Sequence, residues 1–127
     1  MLMNVVDSSG WIEYFVNGKN ANFFNSPIRD TGNLLVPTIC LYEVFKRVHQ
    51  QRGEGDALQA VAAMQQGTVI DLDARIALGA ARISLENKLP MAGSIILATA
   101  QAYGATVWTQ DDHFKGLSGV QYRKRRP

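Results

Sequence analysis

Four acidic residues stand just past short apolar runs of the chain. Asp7 closes "MNVVD", Asp111 and Asp112 follow "TVWTQ", and Glu43 lies six residues after the proline that ends "NLLVP". Carboxylates gathered from such distant places repel and raise one another's pKa unless a cation sits among them. A hard divalent ion meets that need, because Mg²⁺ takes oxygen ligands, keeps several waters and recruits phosphate oxygens. Metal beside phosphate points to phosphodiester chemistry, in which an ion polarises the phosphoryl group and lowers the pKa of an attacking water. Each acid also has a plainer use. Asp7 before "SSGW" is placed to cap a helix, Glu43 can pair weakly with Lys46 or Arg47, and Asp111 with Asp112 can open the turn "DDHF".

The acids converge only if the elements around them do. "MNVVD" reads as a strand, and "GWIEYFVNG" after it carries Trp11, Ile12 and Phe15 at helical spacing. "NLLVPT" is a second strand, followed by a helical stripe of Leu41, Val44, Phe45 and Val48, with Thr38 as its N-cap. Glu43 departs from that stripe and is free to point elsewhere. "GTVIDLD" predicts a third strand, then a helix capped by Asp71 or Asp73, with Leu72, Ile76, Ala80 and Ile83 on one face. Pro90 starts a helix apolar nearly all round, hence buried, and Gly104 ends it before the strand "ATVWT". "NANFFNSPIRD" and "GDALQAVAAMQQ" look helical, and "VQYRK" reads as a last edge strand. Continuous apolar strands alternating with helices predict an α/β three-layer sandwich around a mainly parallel sheet of four to five strands. In such sheets the binding crevice lies beyond the carboxyl ends of the strands, where Asp7 and Asp111 fall.

At 127 residues, 46% of them hydrophobic, the chain suits a single domain, residues 1–127. One cysteine, Cys40, excludes an internal disulfide and favours a reducing, cytoplasmic setting. No apolar stretch approaches the roughly 20 residues of a membrane span, and no secretory leader is evident. Of thirteen basic residues, four are consecutive in "RKRRP", so a basic tail at about 123–127 follows a mildly acidic body. Arg123, Lys124, Arg125 and Arg126 are candidates for RNA phosphates, or for a simply solvated terminus. His49 and His113 have no zinc-motif company, "RGEGDA" lacks the third glycine of a dinucleotide fingerprint, and no histidine stands at triad spacing from Ser8, Ser9 or Ser94. Ser94 is still placed to help hold a water or a phosphate oxygen.

With "VVDSSGWIEYF", "PTICLYEV", "LPMAGSIILATA" and "WTQDDHF" in this order, the chain resembles PIN-domain ribonucleases, and more closely the VapC-type toxins of toxin–antitoxin pairs. The resemblance covers essentially the whole chain. It implies an endoribonuclease in which acids hold Mg²⁺ or Mn²⁺ and activate water for in-line attack on RNA, leaving 5′-phosphate and 3′-hydroxyl ends. Asp7, Glu43 and Asp111 match three of those acids, Thr109 matches a supporting hydroxyl, and Asp112 adds a neighbouring charge. It further implies a VapB-like antitoxin seated in an apolar groove near Trp11, Phe15, Leu41 and Phe45, with one of its arginines entering the acids, and a homodimer.

One position departs from the family pattern. After "LPMA" the pattern has aspartate, and here Gly93 stands instead. Glycine costs a helix about 1 kcal/mol relative to alanine, so it contributes nothing evident there. It either marks a lost ligand, predicting weak metal occupancy and little cleavage, or permits a close backbone approach. A PIN-like protein that binds RNA or antitoxin without cutting is the second reading. A phospho-receiver also gathers acids around Mg²⁺, but needs an acidic pair before its first helix, where Asp7 stands alone.

Overall fold

The computed structural model describes residues 2–127. Strands β1 (Asn4–Val6), β2 (Leu34–Pro37), β3 (Thr68–Ile70), β4 (Thr106–Thr109) and β5 (Val120–Tyr122) form one sheet in the order β3-β2-β1-β4-β5. Every pairing is parallel, with Val5 opposite Leu35 on one side and Val107 on the other. The expected α/β sandwich on a parallel sheet is therefore the observed architecture.

Among the described residues six helices connect the strands: α1 (Ser8–Phe15), α2 (Ala21–Arg29), α3 (Thr38–Arg52), α4 (Glu54–Met64), α5 (Ala74–Asn87) and α6 (Met91–Ala102). From β1 through β2 to β3 the chain moves one way across the sheet, and from β3 to β4 it returns past β1. Right-handed crossovers then place α1 to α4 on one face and α5 with α6 on the other. The packing agrees: α1 meets α2 and α3, α3 meets α4, and α5 lies along α6. The reversal of direction falls between β1 and β4, so a crevice opens beyond their carboxyl ends.

The strand residues Val5, Val6, Leu34, Leu35, Val36 and Val107 are buried, as continuous apolar strands covered on both faces require. Helix α6 is buried from Ser94 to Ala100, and Gly104, at a positive φ, ends the turn after it. Two local expectations are corrected. Thr38 is the first residue of α3 and not its cap; Pro37 holds the capping position, and its fixed φ leads directly into the helix. Leu72 lies before α5 and is 43% exposed, since Asp73 is the residue that caps the helix, accepting from the Ile76 N–H.

Candidate functional site

Helix α1 begins where β1 stops because Asp7 caps it, its Oδ1 accepting from the Gly10 N–H at 2.9 Å. That bond turns the carboxyl toward β4, where the Thr109 hydroxyl donates to Asp7 Oδ2 at 2.8 Å. Ser9 also donates to Asp7, at 2.8 Å. Capping and site membership are thus one fact about Asp7. The side chain is 3% exposed, and burial pushes its pKa up to about 6 despite these three donors; the nearby Asp111 carboxylate pushes the same way. Thr109 joins the two acids, because its oxygen accepts the Asp111 backbone N–H at 2.9 Å while its proton goes to Asp7.

Glu43 projects from the second turn of α3, and the Ser8 hydroxyl donates to its Oε1 at 2.5 Å. Its expected partners Lys46 and Arg47 form no ion pair with it. Asp111 Oδ1 accepts from the His113 backbone N–H at 3.0 Å and faces that residue's ring nitrogen at 2.8 Å. Asp7, Glu43, Asp111 and Gly93 all line one cleft of about 470 Å³. Asp112 does not line it; it is exposed in the 3₁₀ turn Asp112–Phe114 that follows β4. Ser94, 2% exposed, is also outside, its hydroxyl donating to the carbonyls of Pro90 and Leu89. It holds the start of α6, so it faces no ligand.

Gly93 is the third residue of α6. A Cβ built there would lie 3.3 Å from the edge of the Phe114 ring and 4.0 Å from Leu89, with no backbone atom near and no positive φ. A side chain therefore fits once Phe114 gives way by a few tenths of an ångström. The close-approach explanation of this glycine is removed. The anionic donors of the cleft are carboxylate oxygens, the kind a hard divalent ion takes, with the His113 ring beside them. They stand apart: among the described residues no three acids, histidines or cysteines lie close enough to enclose an ion.

Several cleft residues carry no motif. Glu13 lines the wall, accepts from the Asn20 N–H at 2.8 Å and lies 3.4 Å from the Gln110 amide. Its only signal in sequence is a polar residue set between Ile12 and Phe15. Gln110 is buried and accepts from the Asn20 side chain at 3.0 Å, a contact spanning 90 positions that no local pattern announces.

The PIN domain family model matches residues 5–120 of this sequence. The chain belongs to the PIN domain family. No curated protein sequence matches it. Its solved structural neighbours include a toxin–antitoxin complex from Klebsiella pneumoniae, with a TM-score of 0.78 and 23% identity over 93% of this chain and 95% of that one. A DNA-bound VapBC from Salmonella typhimurium gives 0.76 and 20%, covering 98% of each chain. The sarcin-ricin loop cleaving toxin VapC20 of Mycobacterium tuberculosis gives 0.77 and 14%, over 92% and 96%. At such identities the likeness shows the fold alone.

On this PIN domain the expected groove residues divide. Trp11 is 1% exposed and stacks beneath Phe15 at 5.7 Å, so it belongs to the core and meets no partner; large aromatic rings near the start of α1 fill the space over the sheet. Phe15 lines a hollow of about 320 Å³ with Ile12, Val48 and Ala60. Leu41 and Phe45 line another, of about 480 Å³, with Val61 and His49. No helix among the described residues is long and apolar enough to cross a membrane.

Proposed function

We propose that this PIN domain is a Mg²⁺- or Mn²⁺-dependent endoribonuclease of a toxin–antitoxin pair, acting in the cytoplasm and impaired in this chain by Gly93. The observation that supports it is the meeting of Asp7, Glu43 and Asp111, from the ends of β1 and β4 and from α3, in one cleft. As they stand these three do not enclose an ion, so they would have to draw together to hold one, which when bound would supply Lewis acidity toward a phosphodiester. The rest is the chain's own work. Thr109, Ser9 and the Gly10 N–H fix the Asp7 carboxylate, Ser8 aims Glu43, and the His113 N–H anchors one oxygen of Asp111 while leaving the other free.

The vacancy at position 93 favours a second reading, a PIN domain that retains RNA or antitoxin and no longer cuts. In either case an antitoxin segment on the Phe15 and Leu41–Phe45 hollows is the proposed protein partner, an amphipathic element laid across apolar surface. One experiment separates the readings. Gly93→Asp is expected to raise Mg²⁺-dependent RNA cleavage by orders of magnitude, as returning a ligand to a metal nuclease should. Equal cutting by the two proteins would show that position 93 is no ligand site.

A further inference from the structure

The four consecutive cations of the tail are not equivalent. Arg123 lays its guanidinium over the Phe23 ring at 4.8 Å, and its backbone N–H donates to the Thr109 carbonyl at 3.0 Å. The Lys124 carbonyl accepts from the side-chain amide of Asn20 at 3.0 Å. Asn20 is 1% exposed and donates its other proton to Gln110, which is 2% exposed and whose own amide reaches toward Ser9 and Glu13. Burying two side-chain amides is costly unless they are paired; the Asn20 oxygen has no partner, but both its amide protons are used, one of them to hold the backbone that follows β5. The residue after that anchor, Arg125, lines the acidic cleft, whereas Arg126 does not.

Arg125 enters a cleft rich in carboxylates yet pairs with none of them. Among the described residues the only base within 4.0 Å of an acid is His113, beside Asp111. Lys46 and Arg47 line the same cleft from α3 and are likewise unpaired. A guanidinium offers a planar fork of donors that matches phosphate oxygens, and one held by its backbone loses less freedom on engaging them. We propose that Arg125 receives a phosphate of an RNA strand beside the acids, and that the buried Asn20–Gln110 pair sets its place by holding the Lys124 carbonyl. The inference rests on the endoribonuclease reading of the cleft and adds to it a positioned phosphate site.

The test is binding of a short fluorescently labelled single-stranded RNA to the full chain, by anisotropy in EDTA across a series of KCl concentrations. Arg125→Ala is expected to weaken binding roughly tenfold and to lower the slope of log affinity against log salt by about one, as loss of one phosphate contact should. A chain ending at Lys124, which keeps the anchored carbonyl, should lose as much; Arg126→Ala should lose much less. Asn20→Ser, too short to reach Lys124, should reproduce the Arg125→Ala loss, and the double variant should add nothing further. Asn20→Ala checks the same point, each variant being used only with a cooperative thermal transition. Wild-type affinity in Arg125→Ala overturns the proposal, as does a loss confined to antitoxin binding. Wild-type affinity in folded Asn20 variants overturns the positioning role. If Gly93→Asp cuts nothing while RNA binding still depends on Arg125, the nuclease reading fails and the phosphate site stands. If Gly93→Asp cuts and Arg125→Ala leaves its binding and cutting unchanged, only the present inference fails.

Discussion

Asp7 caps α1, bonds Thr109 of β4 and faces the cleft, and its burial makes it a proton store as well. Its folded pKa of about 6 lies above the usual 3.8, so between those values the folded chain keeps a proton that the unfolded chain has released. Stability is therefore highest below that window and falls as pH rises through it; above about 6 the loss is complete, of the order of 3 kcal/mol at 1.36 kcal/mol per unit. Asp7→Asn, which carries no such proton, should lack this limb, and urea midpoints for both proteins at about pH 4 and about pH 7.5 would show the difference. Any divalent ion must also displace that proton, so Mg²⁺ affinity by calorimetry should fall about tenfold per unit below pH 6. Position 7 was legible in the sequence as an acid at a strand end, and Glu43 as an acid off an apolar stripe. His113, Gln110 and Asn20 were not, because their partners are set by tertiary contact or by the exact shape of a turn.

At the scale of elements, two glycines in early helical turns behave oppositely. A Cβ on Gly10 would fall 2.5 Å from the Phe24 ring and 2.7 Å from Val6, both wholly buried. Gly10 is what lets α1 lie against α2 and β1, so Gly10→Ala should destabilise by about 1 to 3 kcal/mol in chemical denaturation, the cost of overpacking. At Gly93 only the Phe114 edge is close, and alanine regains about 1 kcal/mol of helix propensity, so Gly93→Ala should unfold within about 1 kcal/mol of the parent. Sequence alone marks Gly93 as the anomaly and passes over Gly10, since the neighbour that makes Gly10 necessary comes from another helix. The strands were readable because their apolar runs are uninterrupted. The start of α3 was misplaced by one residue, where a proline's backbone and a threonine's side chain compete for the same capping position.

Over the whole molecule, a parallel sheet puts the ends of β1 and β4 at one edge, so that shared edge could be foreseen from alternating elements, while their adjacency in the sheet could not. Neither could the surface. Leu78 and Leu85, seven apart on α5 and therefore on one side of it, are 68% and 85% exposed. Such paired leucines suit the homodimer that the resemblance implies, and replacing both with serine should shift sedimentation toward monomer while leaving the cooperativity of unfolding intact.

The order of the strands has a consequence for how the molecule is made. Of this domain's strands the first to be made, β1, belongs in the middle of the sheet, and one of its two neighbours, β4, follows only after β2 and β3. Asp7 therefore waits for Thr109 and Asp111 until β4 has been made, and such long-range pairings are the slow steps of assembly. Before β4 has been made the domain has no cleft, so its acids cannot act together until then.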